Sequence, residues 1–177
     1  MTKGKATGRD RDYQVQCRDL LMRRYPDLKP YAKDGIDIAF DAGGTVWTVD
    51  VALIEPSGGL LIVECKRHAR AIEQGALASF AKTLDLLRAS QPRPVAGVFF
   101  AKRTYQQGAL KFGNHLGLDL ACLVDDGVPS PLRFHRWDST KGRRVEDVVV
   151  FVSSIPSASG LGTPTIILGP PPEDSTC

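Results

Sequence analysis

The 177-residue chain lacks most of the features by which large classes of protein declare themselves. Its net charge is only +3, from 23 Lys+Arg against 20 Asp+Glu, so on average it shows neither the basic excess of many nucleic-acid-binding domains nor an acidic bias. Its four cysteines, Cys17, Cys65, Cys122 and Cys177, form no CxxC pair, and His68, His115 and His135 are too few and too dispersed to complete a zinc set. They read as reduced cytosolic thiols. No apolar run approaches the roughly 18 residues of a membrane helix. The opening MTKGKATGRDRD is charged and has no apolar core, so neither secretion by a standard signal nor a membrane partner is expected, and a cytoplasmic location is. A GxSxG elbow, a Walker A loop, a complete GxGxxG and any internal repeat are absent as well, which removes the common serine hydrolases, P-loop enzymes, dinucleotide binders and solenoids.

What is present is the composition of one packed domain with an appendage, 42% hydrophobic and 24% charged. Tyr13, Cys17, Leu20, Leu21 and Met22 recur at spacings near three and four, which predicts a helix from Asp12 to Tyr25, ended by Pro26. In KDGIDIAFDAGG, Ile36, Ile38 and Phe40 alternate with Asp37, Ala39 and Asp41 before a Gly-Gly turn, which predicts a strand with one buried face. TVWTVDVALI (45–54) and LLIVECK (60–66) flank the turn-rich EPSGG and read as a hairpin. Ile72, Ala76, Leu77, Phe80, Leu84 and Leu87 mark one face of a long helix. VAGVFFA (95–101) predicts an interior strand, Tyr105 to His115 a shorter helix, and LDLACLV (118–124) another strand. The order α-β-β-β-α-β-α-β predicts an α/β fold with a mixed sheet and helices on both sides, spanning residues 1–126. Over 127–177 the composition shifts. GVPSPLRFHRWDSTKGRR is basic and turn-prone, VEDVVVFV offers one further strand, and a Pro/Gly/Ser-rich tail follows.

With EPSGG as the loop, Ile54 faces Leu60, Ala52 faces Ile62 and Asp50 faces Glu64. Alternation then sets Asp50, Ala52 and Ile54 on one face with Leu60, Ile62, Glu64 and Lys66. Opposed residues have Cβ atoms about 4.5–5.5 Å apart, where like charges repel. Lys66, diagonal to Asp50, supplies part of the missing positive charge. Two converging carboxylates with a backbone carbonyl at the rim make an oxygen-rich site suited to Mg²⁺. The alternative is a solvated cross-strand ion-pair cluster. Against it, the continuous run Leu60-Leu61-Ile62-Val63 calls for cover on both faces, and bare carboxylates at such a boundary are costly. Cys65 should point to the face opposite Glu64, as a small core residue.

The pattern Asp50, thirteen intervening residues, then Glu64-Cys65-Lys66 at the end of an apolar strand resembles the core of the PD-(D/E)xK nuclease superfamily. The element order from Asp12 to Val124 resembles the restriction-endonuclease-like fold, particularly its Mrr-like (type IV restriction endonuclease) branch. There a similar motif is followed by basic residues, a helix, a strand resembling PVAGVFFA and a further helix and strand resembling ALKFGNHLGLDLACL. The resemblance implies a Mg²⁺-dependent DNA endonuclease in which Mn²⁺ can substitute. Asp50, Glu64 and the main-chain carbonyl of Cys65 would hold the metal, while Lys66 would orient or activate the attacking water and stabilise charge on the phosphate. Many members carry a Glu on the first helix. Here DYQVQCRDLL offers Gln14, Gln16 or Asp12, and Gln16 is taken as the accessory residue, with Gln74 on the next helix as another. Asp37 in DGIDIAF, which resembles the Gly-Ile-Asp of some Mrr-like proteins, is the alternative to Asp50.

Charge is distributed unevenly. Arg67 and Arg70 follow the motif and read equally as a solvated helix start or as phosphate contacts, and Lys102 and Arg103 leave the 95–101 strand at the same sheet end. Arg133, His135, Arg136, Trp137, Lys141, Arg143 and Arg144 combine positive charge with an aromatic that can stack on a base. Lys3, Lys5, Arg9 and Arg11 form a second basic arm. The segments Lys3–Arg24 and Arg133–Arg144 carry +4 each, so the remaining chain sums to −5 against the total of +3. The expectation is an acidic catalytic core between basic arms with DNA as partner, acting in restriction or repair. Target choice would come from the arms, a homodimer partner or a separate specificity subunit. A catalytically weak DNA-binding or scaffold protein is the second reading, and an RNA substrate a third.

Overall fold

The structure, a computed structural model, describes residues 8–123 and, as backbone, residues 132–138 and 143–149. Three helices, α1 (Gly8–Arg24), α2 (Gln74–Ser90) and α3 (Gln107–His115), accompany strands β1 (Lys29–Pro30), β2 (Ile36–Ala42), β3 (Thr45–Ile54), β4 (Leu60–Lys66), β5 (Val95–Ala101), β6 (Asp119–Cys122), β7 (Leu132–Asp138) and β8 (Arg143–Val149). The strands form one sheet in the order β1-β3-β4-β5-β6-β7-β8, and β2 pairs with the same edge of β3 as β1 does. β4, β5 and β6 run parallel and the other pairs antiparallel. This is the expected α/β architecture, a mixed sheet flanked by helices.

Each face of the sheet carries its own core. Leu77, Phe80, Leu84 and Leu87 of α2 and Leu110 of α3 cover Leu60, Ile62, Phe99 and Leu120. A Cβ on Gly97 would collide with the Leu84 side chain, so α2 lies directly on the backbone of β5. On the opposite face Tyr13, Cys17, Leu20 and Leu21 of α1 cover Val51, Leu53, Val63, Phe100 and Ala121. The hairpin has the expected register, with Ile54 opposite Leu60 and Ala52 opposite Ile62.

One departure from simple alternation positions the site. Ile36 packs in the α1 core, whereas Ile38, Phe40 and Ala42 pack with the α2 core, although alternation predicts one shared face. Asp37 stands between them at φ 51°, in the left-handed region that Asp tolerates better than most residues, and it turns the strand over. β3 turns at the same level. Val51 and Leu53 belong to the α1 core but Trp47 and Val49 to the α2 core, so the break falls at Asp50. Pairs Ile36–Val51 and Ile38–Val49 flank it, which sets Asp37 and Asp50 at the same level of the sheet. Beyond these two residues the tip of the β2–β3 hairpin curls over α2.

Other boundaries also moved. α1 begins at Gly8, four residues before the expected start, with Asp10 favourably placed in its first turn. β1 was not anticipated; Pro30 sits on a sheet edge, where its missing donor is harmless. Ile72, expected on the long helix, precedes α2 and forms a parallel bridge with Tyr105, itself outside α3. β7 runs through LRFHRWD, expected to be turn-prone, because pairing with β6 and β8 overrides local propensity. β8 starts at Arg143, two residues before the expected strand. Lys3 and Lys5, Lys141 and residues 150–177 lie outside the described residues. Among the described residues no helix is long and apolar enough to cross a membrane.

Candidate active site

β4 begins in hydrocarbon and ends in charge. Leu60, Ile62 and Val63 are fully buried between the two cores, and the strand then delivers Glu64, Cys65 and Lys66 at its C-terminal end. In open parallel sheets this is the end where ligands bind. The Glu64 carboxylate is nearly buried, and its Oε1 lies 2.6 Å from Lys66 Nζ, whose side chain is 28% exposed.

Asp50 owes its place to the break in β3. The pairing of β3 with β4 extends to Val51–Val63, and where β3 turns away the backbone N–H of Cys65 donates to Asp50 Oδ2 at 2.7 Å. The carboxylate thus takes over a donor at the end of the ladder and is itself fixed, at 7% exposure. A buried carboxylate is tolerable only with such partners. Cys65 turns its sulfur the other way, as expected, into the α1 core beside Cys17. Burial foremost, then a hydrogen bond with Cys17 and the negative charges of Asp50 and Glu64, push its thiol well above the ordinary thiol range. A thiolate at this position is disfavoured, which argues against nucleophilic chemistry by Cys65. The same interactions mean that both carboxylates lie within electrostatic reach of one sulfur.

The first helix supplies a further oxygen. Gln16 is exposed, whereas Gln14 is 4% exposed and its Oε1 has no hydrogen-bond partner; among the described residues only Arg24 Nε shares that condition. Gln14 lies one turn before Cys17, which meets Cys65, and beside Tyr13, whose hydroxyl donates to the Leu123 carbonyl just past β6 (3.1 Å). That sets it on the α1 face at this end of the sheet. Arg11 holds the turn in place, donating to Asp37 (2.8 Å) and Asp34 (3.1 Å), while Arg18 donates to the Asp34 carbonyl (2.9 Å). Asp37, the alternative acid, is thereby committed to Arg11. The signal for Gln14 was present in the sequence: residues 14, 17 and 21 form one helical stripe and residue 16 falls outside it.

The remaining candidates fall into groups. Gln74 is exposed at the first residue of α2 with its amide oxygen beside Gly108 of α3. Arg67 and Lys102 are half-buried, and Arg70 and Arg103 exposed, on the loops that leave β4 and β5 at the site's end of the sheet. The side chains of Arg133, Arg136 and Trp137, on β7, lie outside the described residues. Sequence reading missed the tie between the two loops, in which Ile72 and Tyr105 pair their backbones.

Among the described residues no three His, Cys, Asp or Glu side chains converge to hold a metal. The acidic oxygens at this end of the sheet are two buried carboxylates, Asp50 held by the Cys65 N–H and Glu64 just before Cys65 on β4, and α1 buries the unpartnered amide oxygen of Gln14 on the Cys65 side. That set fits Mg²⁺, which uses one or two carboxylates and keeps several waters, and it does not fit zinc.

No family model and no curated protein matches the chain. Solved structures do. EndoMS in complex with double-stranded DNA is similar over 72% of this chain and 50% of that one, with a TM-score of 0.50 and 20% identity. A repair endonuclease from Pyrococcus abyssi is similar over 70% of this chain and 50% of that one, with a TM-score of 0.47 and 19% identity. The chain spans half the length of these proteins, and at this identity the first likeness establishes the fold: an α/β restriction-endonuclease-like core.

Proposed function

We propose that this chain is a divalent-metal-dependent DNA endonuclease of the PD-(D/E)xK type, acting in DNA repair or in restriction. The observation that carries the proposal is the placement of Asp50, Glu64 and Lys66 at one sheet end, with Asp50 fixed by the Cys65 N–H and Glu64 paired to Lys66. The likeness to EndoMS in its complex with double-stranded DNA supports a DNA substrate.

Asp50, Glu64 and the Cys65 carbonyl would hold Mg²⁺ or Mn²⁺, with Gln14 Oε1 as a neutral accessory donor. When bound, the cation supplies positive charge for the phosphate oxygens and lowers the pKa of water. The chain's own contribution is positional. Lys66 places an ammonium beside Glu64, where it can donate to a phosphate oxygen as charge develops, and the hydrogen bond from Cys65 keeps Asp50 in one orientation. The thiol of Cys65, turned to the other face, takes no part.

A second reading, a nucleic-acid-binding or scaffold protein that cuts weakly, is favoured by the neutral Gln14 and Gln16 on the first helix, where many members of the resembled superfamily carry a Glu. One assay separates them. The full chain is incubated with supercoiled, linear, single-stranded and branched DNA, and with RNA, in Mg²⁺ or Mn²⁺. Cleavage by wild type and its loss in Lys66→Ala supports the enzyme; equal inactivity of both with persistent binding supports the scaffold.

A further inference from the structure

The loops that leave β4 and β5 do not diverge as crossover loops usually do. β4 and β5 are paired through Lys66–Ala101, and the Lys102 N–H then donates to the Lys66 carbonyl at 3.0 Å. Further on the loops meet again: the Ile72 N–H donates to the Thr104 carbonyl and the Gln106 N–H to the Ile72 carbonyl, each at 2.9 Å. Tyr105 is anchored from below, its hydroxyl 2.6 Å from the Phe99 carbonyl and 2.7 Å from the Ala121 carbonyl, so one proton serves two strands. The segments 66–73 and 102–106 are therefore one braced element. They contain Lys66, Arg67, Arg70, Lys102 and Arg103 and a single acid, Glu73, which meets the exposed Arg70 at 4.0 Å.

We propose that these paired loops form a ledge that binds the phosphodiester backbone of the nucleic acid next to the cutting site, with Arg67 and Lys102 each contacting a phosphate. The proposal rests on the nuclease reading and adds to it which element grips the substrate and how. Fixed cations on a braced backbone position a polyanion without reading its bases. Each phosphate neutralised on duplex DNA contributes about 0.9 to the slope of log affinity against log salt.

The test is fluorescence anisotropy of a labelled duplex oligonucleotide over a NaCl series without divalent ions, using the full chain carrying Asp50→Asn so that nothing is cut. Adding Arg67→Ala and Lys102→Ala together is expected to flatten the salt slope by about 1.8. Removing the same charge elsewhere, with Arg93→Ala ahead of β5 and Lys82→Ala on the exposed side of α2, is expected to leave the slope unchanged. Melting curves verify that both doubles are folded. A slope unmoved by the ledge double, or moved equally by both doubles, overturns the ledge while leaving the nuclease reading intact. Failure of the wild-type chain to cut or bind any nucleic acid overturns the nuclease reading itself.

Discussion

The two layers that cover the sheet differ in kind. The buried face of α2 is hydrocarbon fitted closely to the strands, with Leu77, Phe80, Leu84 and Leu87 all buried and α2 pressed onto Gly97, while the Tyr105 hydroxyl and Cys122 thiol in the same core come from a loop and from β6. The α1 layer buries a hydroxyl, an amide and a thiol, on Tyr13, Gln14 and Cys17, just where the strands end in charge. Polar groups are poor packing material, because each needs a partner to offset its desolvation. They are concentrated on one helix, at the end of the sheet where Glu64 and Lys66 stand.

Breaking each layer should give a different phenotype. In the site, Lys66→Ala is expected to lower DNA cleavage by about 10²–10³-fold, as for loss of one preorganised charge donor, with little change in melting temperature. In the hydrocarbon layer, Leu84→Ala should cost about 2–5 kcal/mol of stability, read by urea unfolding, while cleavage per folded molecule stays near wild type. The α1 layer should show the reverse at Gln14. Gln14→Leu removes a buried, unpartnered oxygen, so stability should hold or rise, yet Mn²⁺ affinity measured calorimetrically should fall about tenfold, the scale on which supporting residues act at metal sites. Gln14→Glu should raise it. Unaltered Mn²⁺ affinity in both variants would make Gln14 a packing residue and erase the contrast between layers.

The smallest expected effect concerns alkaline pH, and here the layers should behave alike. Burial holds the phenols of Tyr13, under α1, and Tyr105, in the opposite core, well above the ordinary value of 10.0. Above about pH 10 the unfolded chain releases these protons while the folded chain keeps them. The unfolded state then binds fewer protons, and stability falls as pH rises; below that range neither phenol contributes a slope. Tyr13→Phe and Tyr105→Phe should each flatten the alkaline limb of melting temperature against pH, beyond whatever the lost hydroxyl contacts cost at neutral pH.

Much of this was legible in the residues, for local reasons. The hairpin register follows from EPSGG and from matched apolar positions on either side, and Cys65 was correctly turned from Glu64 because alternation holds along β4. Alternation failed at Asp37 and Asp50, because the left-handed turn at Asp37 depends on its pairing with β3 and its link to Arg11, which lies 26 residues earlier. The bridge between Ile72 and Tyr105 joins two loops distant in sequence, and helical spacing absorbed Ile72 into α2 by default. β7 was hidden by its basic composition, since the pairing that makes it a strand comes from β6 and β8. Gln14 and Gln16 differ in facing, not in charge: Gln14 shares the helical stripe of Cys17 and Leu21 and is buried, whereas Gln16 is exposed.

On the proposed function, the break in β3 and the end of β4 together would build a cation site for phosphodiester cleavage. Anomalous diffraction from crystals of the full chain grown with Mn²⁺ tests it most directly. A single strong peak bounded by the Asp50 and Glu64 carboxylates and the Cys65 carbonyl is expected, and it should disappear in Asp50→Ala. Well-ordered crystals at saturating Mn²⁺ with no peak there, or with the ion held elsewhere, would contradict it.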